Sequence, residues 1–258
     1  MSPRSGRPPE PGSEPYPERE DTWLLVPFAR AARPGSRVLD LGTGNGRLAI
    51  EAARAGARVV ATDLNPGALR RLRAIARAER LPVATVRADL ARGLGAFDRI
   101  LANPPYLPTQ PEERDPDVWQ NLALDGGPDG TRVTARIVRQ LRGHLRPGGR
   151  AYVLVSSLQQ RGPLERIRAS WREGGGRVRV RARRRLEGER LEVWEFSRAG
   201  PSSRVTRSGW RSRGPRQGTG VRPRNRPGRP SGSTPGPDGG RRTVRGAASV
   251  RRRSLPGS

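Results

Sequence analysis

Residues 37–46 read Arg-Val-Leu-Asp-Leu-Gly-Thr-Gly-Asn-Gly, RVLDLGTGNG. The first half is a short apolar run suited to a buried strand. The second half places Gly42, Gly44 and Gly46 at every other position. Glycines so placed let a strand turn sharply into a helix, and let a ligand approach the backbone closely. A helical pattern follows over residues 45–55. Strand, glycine turn and helix in this order open the first unit of a doubly wound sheet. The spacing departs from the dinucleotide-binding pattern G-x-G-x-x-G, because the third glycine comes one residue early.

The alternation continues outward from this unit. Upstream, residues 21–32 (DTWLLVPFARAA) form an apolar helix, expected to be interrupted or kinked at Pro27. Downstream comes a strand over residues 58–62. Asn65 then caps a helix whose first position is Pro66. In that helix Leu69, Leu72, Ile75 and Ala76 share one face, while Arg70, Arg71, Arg73 and Arg77 are largely solvated. Strands are expected over residues 84–88 and 97–102. A helix over 131–145 ends at Pro147-Gly148-Gly149, before a buried strand over 150–156. A helix over 163–172 and a hairpin over 178–184 and 192–197 complete the pattern. It predicts a mostly parallel α/β sheet with an antiparallel strand inserted at one edge.

Composition narrows the possible functions. The chain has 258 residues and a formal net charge of +27, and every basic residue is Arg. Such a composition, also rich in Ala, Gly and Pro, fits a GC-rich genome, so codon bias accounts for much of the basic excess. The absence of Cys excludes disulfides, thiolate zinc sites and Cys nucleophiles. A single His144 excludes a multi-His site, and no metal is expected. No apolar run approaches the roughly 20 residues that a membrane span needs, and the N-terminus lacks a secretory apolar segment. The expectation is a cytoplasmic protein with no membrane contact. Residues 1–15 read as disordered, residues 16–198 as the folded domain, and residues 199–258 as an Arg/Gly/Pro-rich disordered tail. The tail reads as an extension of biased composition, with weak contact to RNA or the ribosome as its functional alternative.

Four polar residues follow four consecutive strands: Asp40, Asp63, Asp89 and Asn103. Ligands of open α/β sheets bind outside the carboxyl ends of strands. Asn103 begins the turn Asn103-Pro104-Pro105-Tyr106, which can offer two hydrogen-bond acceptors and an aromatic face to one planar –NH2 group. An enzyme that methylates an amide or exocyclic amino nitrogen needs that grip, because the nitrogen's lone pair is delocalised. The acidic strand end followed by Gly42-x-Gly44-x-Gly46 resembles motif I of class I S-adenosylmethionine-dependent methyltransferases. On that resemblance S-adenosylmethionine is the cofactor. Asp40 would organise the glycine loop and help hold the methionine end. Asp63 would accept the ribose hydroxyls and Asp89 the adenine amino group, while Asn103 borders both cofactor and substrate.

With the Asn-Pro-Pro-Tyr turn added, residues 16–198 resemble the HemK-type release-factor glutamine N5-methyltransferases. Residues 16–25 (YPEREDTWLL) look like the opening segment of the family's short archaeal and eukaryotic branch. Residues 124–130 (LDGGPDG) look like its Gly-Gly loop. The resemblance implies a Rossmann-like fold, a doubly wound seven-stranded sheet with an antiparallel edge hairpin. It implies a class I peptide-chain release factor as substrate, methylated at the glutamine of a Gly-Gly-Gln motif. It also implies site roles: Asn103 and the Pro104 carbonyl accept the amide protons, Pro105 lines the turn, and Tyr106 packs on the amide. In that branch a small zinc-binding activator often pairs with the catalytic subunit, so such a partner is an expectation. The same turn serves N6-adenine methyltransferases acting on RNA or DNA, and an adenine substrate remains the alternative. Intact Asp63, Asp89 and Asn103 disfavour a non-catalytic scaffold.

Overall fold

The computed structural model describes residues 19–198. The segments expected to be disordered, residues 1–15 and 199–258, lie outside the described residues. Seven strands form one sheet in the order β3-β2-β1-β4-β5-β7-β6. They are β1 (Arg37–Leu41), β2 (Arg58–Asp63), β3 (Val83–Arg87), β4 (Phe97–Ala102), β5 (Leu145–Ser156), β6 (Gly176–Leu186) and β7 (Glu189–Arg198). The first five run parallel, whereas β7 is antiparallel to both β5 and β6. The chain winds from β1 to β2 and β3 on one side, then returns to place β4 on the other. That reversal makes the carboxyl ends of β1 and β4 a topological switch point, where such folds bind ligands.

Six helices accompany the strands: α1 (Glu20–Arg30), α2 (Arg47–Arg54), α3 (Pro66–Ala78), α4 (Val118–Leu124), α5 (Arg132–His144) and α6 (Arg161–Glu173). Strand alternation sorts the apolar side chains into two layers. One layer joins Leu25 and Val26 of α1, Leu48 of α2 and Leu72 of α3 to Val38, Leu101 and Tyr152. The other joins Ile137 and Leu141 of α5 and Trp171 of α6 to Leu39, Ile100, Val153 and Phe196. Asp40 alternates with Leu39 and Leu41, so its carboxylate turns toward the N-terminal end of α2.

Local chemistry explains where elements start and stop. Asn65 Oδ1 accepts from Gly67 N at 2.8 Å and Ala68 N at 3.4 Å, and Pro66 occupies the first turn, as the sequence predicts. Helix α1 does not break at Pro27 but runs through it to Arg30, and Ala31 N bonds the Pro27 carbonyl at 3.1 Å. Strand β5 begins at Leu145, five residues earlier than expected, so Pro147-Gly148-Gly149 lies inside the strand. There β5 meets β4 through a register irregularity between Phe97 and Arg99. The hairpin is longer than expected, and β6 sets exposed Arg177, Arg179, Arg181 and Arg183 along the sheet edge. Charge on an edge strand discourages pairing with another chain. Helix α4 and the 3-10 turn Pro111–Glu113 are additions to the expected elements; both are short and bury none of their residues.

Trp171 anchors the second layer. It is fully buried, meets Phe196 edge-on with centroids 5.6 Å apart, and donates Nε1–H to the Ser197 carbonyl at 3.3 Å. Trp171→Ala is expected to cost about 3–5 kcal/mol of unfolding free energy, measured by urea titration.

Candidate active site

One cavity of about 950 Å³ opens at the switch point. It is lined by the N-terminus of α1, the glycine loop, the ends of β2 and β3, the Asn-Pro-Pro-Tyr turn and α4. All ten residues singled out from the sequence fall around this space except Gly46, which lies just behind it.

The three glycines serve two purposes. All three adopt positive φ. A Cβ on Gly42 or Gly44 would meet nothing within 4 Å, so both keep open room above the backbone. A Cβ on Gly46 would lie 2.7 Å from Leu72 Cδ1, so this glycine lets α2 start against α3. The loop is tied to two carboxylates. Asp40 Oδ2 accepts from Thr43 Oγ1 at 2.6 Å and from Ala49 N at 3.1 Å. Asp63 accepts from Gly44 N and from Asn65 N, each at 2.8 Å. Burial pushes the Asp40 carboxyl up to about 6, with a smaller contribution from the Asp63 charge; the Thr43 and Ala49 hydrogen bonds oppose the rise.

Asp89 stands two residues past β3 and forms an ion pair with Arg136 of α5. Beside it, Leu90 holds φ of +59°, a strained value for a branched side chain. Leu90 and the half-exposed Leu64 give the cavity apolar walls between the two carboxylates. Among the described residues, Asn103 Oδ1 is buried and has no hydrogen-bond partner. Its Nδ2 lies 3.4 Å from Thr22 Oγ1. An orphaned buried acceptor at a cavity wall costs stability unless a ligand satisfies it.

The Gly-Gly loop holds the Asn-Pro-Pro-Tyr turn from behind. Leu107 N donates to Leu124 O at 3.1 Å, Gly126 N to Leu107 O at 2.9 Å, and Thr109 N to Gly127 O at 3.0 Å. Buried Asp125 bridges Arg132 at 3.0 Å and Arg114 at 3.2 Å. Burial would raise its pKa, but the Gly127 N–H and the Arg132 and Arg114 guanidiniums hold it below the ordinary carboxylate value. Gln159 Nε2 donates to Gly130 O at 2.8 Å and to Thr134 Oγ1 at 3.1 Å.

Several cavity residues escape a reading of the sequence. Leu64 and Leu90 each follow an acidic strand end, and that shared position is the signal that could have found them. Asp21 and Thr22 sit in the opening segment, whose resemblance does not say which of its side chains meet the cavity. Arg136, Trp119 and Leu122 carry no such signal, because the sequence does not show which face of a helix meets the sheet end. His144 is not among the lining residues; its Nδ1 lies 3.1 Å from the Gly95 carbonyl at the end of α5.

The lining inverts the charge balance of the chain. Glu20, Asp21, Asp40, Asp63, Asp89, Asp117 and Glu189 face Arg19 and Arg136, seven carboxylates against two guanidiniums. In the whole sequence basic residues outnumber acidic ones 51 to 24.

Comparison with known proteins gives the family. Residues 21–168 match the family model described as the methyltransferase small domain. A putative protein N5-glutamine methyltransferase of Methanocaldococcus jannaschii is 35% identical over 182 residues, covering 70% of this chain and 90% of that protein. The release factor glutamine methyltransferase of Deinococcus radiodurans is 44% identical over 147 residues, 52% of this chain and 51% of its own length. The chain thus spans about half the length of that bacterial relative. Among solved structures, the E. cuniculi Mtq2–Trm112 complex, described as responsible for methylation of the eRF1 translation termination factor, has a chain with TM-score 0.55. That chain is 28% identical, and the match covers 71% of this chain and 98% of that one. No helix among the described residues is long and apolar enough to cross a membrane.

Two predictions follow from the site's geometry. Gly130 has φ of +74°, and an added Cβ would lie 2.4 Å from the Tyr106 carbonyl oxygen. Gly130→Ala is expected to cost about 1–3 kcal/mol, whereas Gly143→Ala, inside α5 with no atom nearby, should stabilise by about 0.5 kcal/mol. Urea titration of both variants checks the contrast. The folded protein keeps the Asp40 proton up to about pH 6, whereas an unperturbed carboxyl releases it near 3.8. Stability therefore falls as pH rises between those values, by about 3 kcal/mol for this group. Asp40→Asn should flatten that slope in thermal melts run from pH 4 to pH 7.

Proposed function

The chain belongs to the methyltransferase small-domain family, and on that premise we propose that its substrate is a glutamine side-chain amide. The glutamine would be that of a Gly-Gly-Gln motif in a class I peptide-chain release factor, and the methyl donor S-adenosylmethionine. The observation that carries the reading is the buried, unpartnered Asn103 Oδ1 at the wall of the cavity. An amide nitrogen is a weak nucleophile whose two protons need acceptors. Asn103 Oδ1 takes one, the Pro104 carbonyl takes the other, and the Tyr106 ring packs on the amide plane beside Pro105. Held in this way, the nitrogen is oriented for attack, which removes much of the entropic barrier. The same acceptors stabilise positive charge growing on the nitrogen.

The cavity fits the methyl donor. Room above Gly42 and Gly44, carboxylates at successive strand ends, and the Leu64 and Leu90 walls suit a ligand with a cationic end, a ribose and a flat apolar base. S-adenosylmethionine would supply a methyl group on a positively charged sulfur. Asp63 keeps lone pairs for the ribose hydroxyls beyond those given to Gly44 and Asn65. Asp89, held by Arg136, accepts from the adenine amino group. Asp40 fixes the glycine loop beside the methionine end.

Two considerations favour glutamine over adenine. The relatives named above are described as glutamine methyltransferases. The acidic lining would also repel a nucleic-acid backbone while tolerating a neutral or cationic peptide. The likeness to the E. cuniculi Mtq2–Trm112 complex supports a small activator subunit as partner, and action on a release factor would fit a cytoplasmic location.

Asn103→Ala is expected to lower the rate of labelled methyl transfer to a release factor about 100- to 1,000-fold. Cofactor affinity by calorimetry should stay within about threefold, a shift under 1 kcal/mol. The assay is run with and without the activator; turnover that survives the substitution in both would sink the assigned role.

A further inference from the structure

The opening segment and the Asn-Pro-Pro-Tyr turn are joined by a short polar chain in the cavity wall. Asp21 and Thr22, both nearly fully buried, open α1. Asp21 Oδ1 accepts from Thr22 N at 2.6 Å and from Thr22 Oγ1 at 3.4 Å. Thr22 Oγ1 in turn lies 3.4 Å from Asn103 Nδ2. These two outer links are long, so they set polarity more than they add stability.

The polarity matters because a carboxamide has two ends of almost equal shape and opposite hydrogen-bonding sense. If the Asn103 amide turned over, an N–H would face the substrate amine and clash with its protons. We propose that Asp21 and Thr22 fix which end of Asn103 faces the substrate. A carboxylate offers only acceptors, so Asp21 draws the single hydroxyl proton of Thr22 toward itself. Thr22 Oγ1 is then left with lone pairs alone on the side of Asn103, and only an N–H can face it favourably. Nδ2 therefore turns to Thr22, and Oδ1 is the end left in the site, where it has no partner among the described residues. Thr22 is in this account a positioning residue, acting through Asn103.

The inference rests on the proposed methylation of an –NH2 group, and its test separates the two. Thr22→Val keeps the shape and removes the hydroxyl. It should lower kcat about 100-fold at saturating cofactor and leave the calorimetric Kd for S-adenosylmethionine within about threefold. Thr22→Ser, which keeps the hydroxyl, should restore turnover to within about threefold of wild type. A loss confined to cofactor affinity, or a Ser variant as slow as the Val variant, overturns the proposal. If wild-type protein transfers no methyl group to a release factor, the functional reading fails, and the relay is then judged by neutron diffraction of the full chain. The relay requires a deuteron from Thr22 Oγ1 directed at Asp21 and the Asn103 ND2 group directed at Thr22; the opposite placement overturns it.

Discussion

Parallel pairing of β1 with β4 is the constraint on which the rest of the site depends. Val38 pairs with Arg99 and Leu41 with Ala102, so the two strands end at the same level. The next residues of each are Gly42 and Asn103, and these begin the two halves of the cavity. A slip of one residue in this register would turn Asp40 into the other layer and replace it with Leu39 or Leu41. The apolar layers resist that slip, because Leu39, Ile100 and Leu101 are fully buried on their respective faces. Core packing thereby sets the separation between the loop that would hold the cofactor and the turn that would hold the substrate.

Above that level, polar bonds do the positioning. Asp40 and Asp63 each give acceptors to the glycine loop, and Asp125 does the same for the Gly-Gly loop under the turn. Burying these groups works against stability unless each is bonded. Asp125 is compensated by two guanidiniums, whereas Asp40 has only a hydroxyl and a backbone N–H and titrates near 6. Asn103 Oδ1 lacks even that much. Asp40 and Asn103 both line the cavity, where a ligand with cationic and N–H donors can complete them.

The sheet was legible because its strands are apolar, its turns carry Gly or Pro, and Asn65-Pro66 marks a helix start unambiguously. The carboxylates and the Asn-Pro-Pro-Tyr turn were legible for the same reason, since each lies at or within two residues of the carboxyl end of an apolar strand. Helix α4 was not, because it is only seven residues long and, despite apolar Val118 and Leu122 one turn apart, buries none of its residues. Arg136 was hidden among many arginines, and only the placement of α5 shows that it meets Asp89. The run Arg150–Ser156 suggested a strand, but its extension back to Leu145 depends on pairing with Phe97, a contact that no local pattern announces. A net charge of +27 would suit a polyanionic partner, whereas the acidic lining of the cavity does not. Bulk composition describes the surface, whereas the cavity is set by a few positions.

The central claim is that the gripped –NH2 group belongs to a glutamine. Its most direct measurement is mass spectrometric mapping after incubation of the purified protein, S-adenosylmethionine and any activator with a release factor and an oligonucleotide together. The account predicts one added methyl group on the glutamine of the Gly-Gly-Gln peptide and none on the oligonucleotide. Methylated adenine with an unmodified release factor would contradict it.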